Sequence, residues 1–357
     1  MTDTILCIDI GTTSLKTALL SDKREVRAYS RIEFGGGRAS DEWLNALCKA
    51  TNALRKEEKY SIEAICVSGN GPTIVSEDGT TLLWNERAEK PNVSTDSIFI
   101  PRFDFFKKKY QNEWKNSAAI FGGFEFVLFK LTGNAISLLP SPDFSRAYWT
   151  NDELFRTGFT KDDAKKLPPF VNAGNFVGKI TANAAIKTGL LEGTLVFAGA
   201  PDFFCALIGT GTIFPGKICD RAGSSEGLNL CTKKAIFADG IRTLPSVIPG
   251  RWNASILIPE SGRLKSENPQ KLLDIFCKSV EKLKNEAKKN GEDFSDEIKI
   301  TGGQSKDLYW ILQKEEASKT KIIATWCSDA ELIGDLILAR VALGDYDDIT
   351  EACEILC

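Results

Sequence analysis

Two spacings of apolar residues alternate along this chain. Short unbroken apolar runs, Ile5-Leu6-Cys7-Ile8 and residues 15–20, read as buried strands around a tight turn at Gly11. Strand character continues to about residue 32, with a second turn near Asp22-Lys23. Gly35-Gly36-Gly37 predicts a loop, and Ser40 the N-cap of a helix carrying Trp43, Leu44, Leu47 and Leu54 at helical spacing. Residues 62–68 return as a buried strand, and 73–75 with 80–84 flank Glu77-Asp78-Gly79 as a hairpin. The run Ile120, Phe121, Phe124, Phe126, Val127, Leu128 and Phe129 predicts a buried helix over 117–132.

A second block repeats the alternation. A strand at 194–197 feeds Gly199-Ala200-Pro201-Asp202 and then a helix. Gly209-Thr210-Gly211 and Pro215-Gly216 mark a crossing between domains. Leu272, Phe276, Val280, Leu283 and Ala287 line one helix face, and residues 297–300 form a strand running into Thr301-Gly302-Gly303. The last long helix opens on a capping box, Ser328-x-x-Glu331, and stops at Gly344. No internal repeat or low-complexity tail is visible. Strands feeding glycine loops and helices predict an α/β protein of two domains, 1–213 and 214–357, about a central cleft.

Composition narrows the chemistry. The chain has 357 residues, 43% hydrophobic and 26% charged, and a net charge of −3, enough for two full cores. Lys107-Lys108-Lys109 reads as a solvated helix face, so nucleic acid is not an expected partner. No apolar stretch approaches the roughly 20 residues of a membrane span, and the N-terminus lacks a signal peptide's basic flank and cleavage site. The expected location is the cytoplasm. The ten cysteines include no C-x-x-C pair and read as buried reduced thiols. There is no histidine, which excludes Ser-His-Asp and Cys-His mechanisms and imidazole ligands. Phosphoryl transfer to a hydroxyl tolerates this, because positioning and charge neutralisation dominate and one aspartate can accept the proton.

Three glycine-hinged loops suit that chemistry: Asp9-Ile10-Gly11-Thr12-Thr13-Ser14, Gly199-Ala200-Pro201-Asp202 and Thr301-Gly302-Gly303-Gln304-Ser305. Glycine permits close approach of backbone to ligand, and turn N–H groups with threonine hydroxyls can surround a phosphate. A carboxylate just before such a turn, Asp9, suits a phosphate-bound Mg²⁺. The layout predicts a nucleotide held between two halves of the protein.

With their neighbours, these motifs resemble the FGGY family of carbohydrate kinases, within the sugar kinase, actin and heat-shock chaperone superfamily. Asp9-Ile10-Gly11-Thr12-Thr13-Ser14-x-Lys16 is similar to the family's first phosphate loop. Glu77-Asp78-Gly79 through Trp84-Asn85-Glu86-Arg87 resembles its hairpin and sugar-meeting segment. Leu131-Thr132-Gly133 and Asp143-Phe144-Ser145-Arg146 match its N-terminal domain. Gly199-Ala200-Pro201-Asp202 resembles the catalytic-aspartate motif, Gly223-Ser224-Ser225-Glu226-Gly227 the second phosphate loop, and residues 301–305 the adenosine loop.

The resemblance implies two actin-like (ribonuclease H-like) domains around a nucleotide and substrate cleft, with the second domain shortened. ATP would lie against Gly11, Thr12, Thr13, Ser14 and Lys16, against Gly223, Ser224 and Ser225, and against Gly302, Gly303, Gln304 and Ser305. Asp9 and Asp202 would hold Mg²⁺. Asp202 would be the general base toward a sugar or polyol hydroxyl, a ketose or pentulose in type. Asn70, Trp84, Asn85, Glu86, Arg87 and Phe203 would meet that substrate. Dimers are common in the family, and no apolar stripe here demands one.

The chain departs from the family pattern in three ways. It is short, the segment after Ile65 reads Ser68-Gly69-Asn70-Gly71-Pro72 without the familiar histidine, and Phe203-Phe204 follow the aspartate where a polar residue is usual. Two alternatives therefore stand beside the kinase: a lyase or dehydratase acting on a polyol-like ring without consuming ATP, and an actin-like nucleotide switch for a protein partner. The form Gly-x-x-Asp at Asp202, rather than a second D-x-G loop, speaks against the switch.

Overall fold

The computed structural model describes residues 3–88 and 94–357. Its contacts divide the chain into two compact units. One runs to Phe203 and takes in Leu338–Asp345; the other comprises Phe204–Ile337 and Tyr346–Cys357.

The first unit is built on a six-stranded sheet. Its order is Phe176–Lys179, Leu195–Pro201, Ile62–Gly69, Thr4–Ile10, Ser14–Ser21, Glu25–Glu33. Thr4–Ile10 pairs antiparallel with Ser14–Ser21, and that strand antiparallel with Glu25–Glu33. On its other side Thr4–Ile10 runs parallel to Ile62–Gly69, which runs parallel to Leu195–Pro201. These central strands are buried on both faces, as parallel strands covered by helices require. Glu25–Glu33, by contrast, alternates exposed and half-buried positions.

The second unit repeats the plan. Its sheet order is Arg242–Pro245, Trp252–Ile258, Glu226–Thr232, Ile218–Ala222, Glu297–Thr301, Lys321–Ala324. Ile218–Ala222 and Glu226–Thr232 form the antiparallel hairpin, and Ile218–Ala222, Glu297–Thr301 and Lys321–Ala324 run parallel. The helix Pro269–Lys289 lays Leu272, Phe276, Val280, Leu283 and Ala287 on this core, as their spacing predicts. In both units the first hairpin's turn is a predicted phosphate loop. The other predicted loops follow the ends of parallel strands, where open α/β sheets place their ligands.

Local details differ from the pattern-based expectation. The first helix is Ala39–Asn52, with Arg38 at the N-cap. Ser40 lies inside it and donates to Gly79 O at 2.7 Å, tying the helix to the hairpin turn. Leu54 falls beyond its end. The helix expected over 117–132 begins at Gly123, because Ile120 and Phe121 form a strand against Ser76 and Val75. Helical and strand burial look alike in so short an apolar run. The late helix is Ala330–Leu343, and its first amide is held by Thr301 Oγ1 at 3.0 Å rather than by Ser328. A further helix, Ile349–Leu356, follows.

Candidate active site

In the first unit the turn at 11–13 closes with Gly11 N–H donating to Ser14 O at 3.0 Å. Asp9 is buried near the end of its strand, opposite Lys16 in the antiparallel register and 3.1 Å from its ammonium. Lys16 thus balances the charge that Asp9 carries into the sheet. Thr12 and Thr13 are exposed, whereas Ser14 is buried; the Ser14 side chain belongs to the core, and only its carbonyl shapes the turn.

Asn70, Thr73 and Trp84 close a ring of hydrogen bonds on Thr12. Trp84 Nε1 donates to Thr12 Oγ1 at 3.0 Å, and Asn70 Nδ2 does so at 3.5 Å. Thr73 Oγ1 donates to Asn70 Oδ1 at 3.3 Å and accepts from Trp84 N–H at 3.1 Å. The turn at 11–13 and the segment 70–84 are therefore one hydrogen-bonded piece, bridging 72 positions of sequence. The Trp84 indole, pinned by its N–H, remains 43% exposed and offers an aromatic face to a ligand.

Glu86 accepts from Leu83 N–H at 2.9 Å and so folds its own turn. Asn85 and Arg87 are exposed beside it. Arg102, absent from the sequence-based set, holds this turn from below by donating to Leu83 O and, at 3.2 Å, to Glu86 O. Thr73 and Arg102 had no local sequence signal: one is a small polar residue after a proline, the other an arginine in an ordinary helix.

Asp202 opens the helix Asp202–Gly209 directly after the strand Leu195–Pro201. Ile10 and Pro201 both register with Gly69 of the strand between them. Asp202 therefore stands just past the level of Ile10, two strand spacings or about 10 Å of backbone away. Phe203 is half-buried and Phe204 buried.

In the second unit Gly223 N–H donates to Ser225 O at 3.0 Å, a closure one residue tighter than that at Gly11, and Gly262 N–H donates to Ser224 O at 3.1 Å. Gln304, counted above among nucleotide contacts, is buried and committed at both ends. Its amide nitrogen donates to Gly223 O at 3.1 Å and Ser261 Oγ at 3.2 Å, and its oxygen accepts from Trp310 Nε1 at 2.8 Å. It is a strut between the two loops. Ser305 is likewise turned inward, donating to Gly302 O at 2.7 Å. Ser224, Ser225 and Gly303 are left exposed. Gly302 has φ +90°, and a Cβ there would stand 2.7 Å from Ala222 O, so only glycine fits.

Among the described residues no three His, Cys, Asp or Glu side chains gather to hold a metal by themselves. Mg²⁺ in phosphoryl transfer needs only one or two carboxylates beside the nucleotide's own oxygens, and Asp9 and Asp202 are the carboxylates that the sequence proposes for it. No described helix is long and apolar enough to cross a membrane. A cavity of about 420 Å³ lined by Glu77, Asp78, Asn112, Glu113, Asn116 and Ser117 involves none of the predicted site residues.

No family model matches the chain. Over 264 residues it is 26% identical to a xylulose kinase of Bacillus subtilis (strain 168), covering 62% of this chain and 52% of that protein. Over 269 residues it is 23% identical to a Staphylococcus epidermidis xylulose kinase, covering 64% and 53%. The chain spans about half the length of these curated relatives. Its fold matches Plasmodium falciparum glycerol kinase solved with ADP at a TM-score of 0.77 and 13% identity, covering 99% of this chain and 92% of that one. It matches a xylulose kinase from Rhodospirillum rubrum at 0.72 and 14% identity, covering 96% and 91%. In sequence the chain is similar to xylulose kinases, which are FGGY carbohydrate kinases, and its fold is similar to the two-domain, actin-like fold of the xylulose and glycerol kinases.

Proposed function

We propose that the protein transfers the γ-phosphoryl group of ATP to a hydroxyl of a small sugar or polyol, a ketose or pentulose in type. The observation that carries this reading is the ring joining Thr12 to Asn70, Thr73 and Trp84. It couples a phosphate-binding turn to a polar, aromatic surface suited to a polyhydroxyl ligand. The similarity to xylulose kinases points the same way.

In this reading the backbone N–H groups and hydroxyls of Thr12 and Thr13, and those of Ser224 and Ser225, bind phosphate oxygens. Thr12 Oγ1 accepts from Trp84 and Asn70, so its own proton is left to donate. Asp9 and Asp202 hold Mg²⁺, which supplies charge neutralisation on the phosphates. Asp202 accepts the proton of the acceptor hydroxyl as that oxygen bonds to the γ-phosphorus and the bond to ADP breaks. Trp84 packs on the C–H face of the sugar, and Asn70, Asn85, Glu86 and Arg87 meet its hydroxyls. Lys16 fixes the Asp9 side chain in place through their ion pair.

The test is ADP production with Mg·ATP against pentuloses, hexuloses, pentitols and cyclitols, with Asp202→Asn alongside. Saturable turnover with one compound, lost in Asp202→Asn while ATP still binds, is expected. A flat panel with ATP bound overturns the kinase reading. A ring compound changed chemically without ATP consumption replaces it with the lyase alternative.

A further inference from the structure

The core of the second unit contains three ionisable side chains fully removed from solvent. Lys314 Nζ lies 2.6 Å from Asp220 Oδ2 and 2.8 Å from Glu226 Oε1, and all three side chains have zero exposure. The lysine also sits over the Phe276 ring, 4.4 Å from its centroid, and 5.8 Å from that of Trp310. Burying three ionisable groups is costly, and well-packed apolar residues commonly serve stability as well or better. Their location suggests another role.

Asp220 lies on the strand Ile218–Ala222 and Glu226 opens the strand Glu226–Thr232. Between these strands runs only the turn at 223–225. Asp220, Ala222 and Glu226 share one face of the hairpin, because Ala222 registers opposite Glu226. Lys314 comes from the helix Leu308–Ser318, which follows the 301–305 loop. One ammonium thus ties both flanks of the second phosphate turn to the helix behind the other loop.

We propose that Lys314, Asp220 and Glu226 form a positioning device for the 223–225 turn, and that the turn holds its shape only while the two carboxyl groups share a proton. The functional half of this inference rests on the kinase reading; the structural half does not.

The proton is required by the geometry. One oxygen of each carboxyl, Asp220 Oδ1 and Glu226 Oε2, is buried without a donor. A proton on either acid lets the two groups bond to each other and satisfies both atoms. Charge agrees: one ammonium balances one carboxylate, and the second acid must be neutral. Burial, with the charge of Asp220 added, pushes Glu226 up to about 8, and burial raises Asp220 as well. Lys314 is held charged by the two carboxyls against the effect of its burial. The helix Leu308–Ser318 offers Trp310 and Lys314 itself, and the helix Pro269–Lys289 offers Phe276 and the Cys277 thiol, which the Lys314 charge pulls down against the larger upward effect of its own burial and which therefore stays neutral beside the cluster. Once the pH passes about 8, the cluster therefore carries an uncompensated negative charge beneath a turn meant for phosphate.

The experiment is amide hydrogen exchange, by quench-flow labelling, on the intact chain and on Glu226→Gln between pH 6.5 and 9. The amides of Gly223 and Gly262 report the turn, and those of Ile298 and Ile300 in the neighbouring strand correct for intrinsic pH dependence. The native protein should lose about tenfold protection at the turn relative to these controls. Glu226→Gln, which copies the neutral acid in shape, should hold the ratio constant. A flat ratio in the native protein, or the same fall in Glu226→Gln, overturns the proposal. ADP affinity measured over the same range should weaken about tenfold in the native protein and stay level in Glu226→Gln. If the native protein binds no ADP at pH 6.5, the kinase reading of the turn fails, and the exchange result still decides the role of the cluster.

Discussion

Replacing Gly334 by alanine sets two large effects against each other, and the structure decides between them. Gly334 lies within the helix Ala330–Leu343, where alanine in place of glycine is worth roughly 1 kcal/mol of helix propensity. On that ground alone the substitution stabilises. A Cβ at Gly334, however, would stand 2.1 Å from Cys205 O and 2.7 Å from Cys205 Cα in the helix Asp202–Gly209. The contact is reciprocal, since a Cβ at Gly209 would stand 2.0 Å from Ala330 O. Ordinary contact begins near 3.4 Å, so the crossing would have to open by 3.4 − 2.1 = 1.3 Å. The obstructing atoms are backbone, and no rotamer change relieves them. Overpacking of this kind costs about 1–3 kcal/mol, and rigid backbone on both sides places it at the upper end or beyond. Cys205 Sγ also donates to Asp335 Oδ1 at 3.4 Å across the same crossing and would be pulled apart. The net expectation is a loss of about 2 kcal/mol, propensity included. With a urea dependence of about 2 kcal/mol/M, the unfolding midpoint should drop by on the order of 1 M. Hydrogen exchange should accelerate first in residues 204–209 and 330–337. An unchanged or raised midpoint would refute the reasoning, because propensity would then have outweighed a backbone clash.

Three further outcomes are expected. Trp84→Phe removes the indole N–H from Thr12 while keeping an aromatic face; the acceptor KM should rise about tenfold in steady-state kinetics, and stability, at a site 43% exposed, should move by less than about 1 kcal/mol. Arg102→Ala frees the carbonyls of Leu83 and Glu86; urea unfolding should show a loss of about 1–3 kcal/mol, and the acceptor KM should rise more than the ATP KM. Glu125 is buried at the start of the helix Gly123–Thr132, and burial pushes its carboxyl up to about 7. Between its ordinary value and about 7 the folded protein binds a proton that the unfolded chain lacks, so stability falls as pH rises through that window. Glu125→Gln should abolish this slope. Unfolding midpoints compared at pH 5 and pH 8 should diverge in favour of the variant, by at most about 3 kcal/mol; parallel profiles would contradict the protonated state.

Legibility in the sequence followed the range of the interactions involved. The turn at Gly11 and the helix face of Leu272, Phe276, Val280, Leu283 and Ala287 are written in spacings of a few residues, and both fold as read. Ser40 and the segment 117–132 misled because a capping serine and an apolar run are local signals open to more than one partner. Hairpin contacts with Gly79, and strand pairing with Ser76 and Val75, chose among them. Gln304 and Ser305 carry the polarity of ligand contacts, yet their hydrogen bonds are spent inside the protein.

The sequence by itself determined the strand and helix alphabet, the glycine turns and the absence of imidazole chemistry, since each depends on residue type and near neighbours. Only the tertiary structure revealed that the two units share one sheet plan, because hydrogen-bonded topology survives when side chains no longer match. It alone joined Trp84 to Thr12 across 72 positions and Lys314 to Asp220 across 94. Such contacts form when chain closure brings distant segments together, and no local spacing encodes which distant segment will arrive.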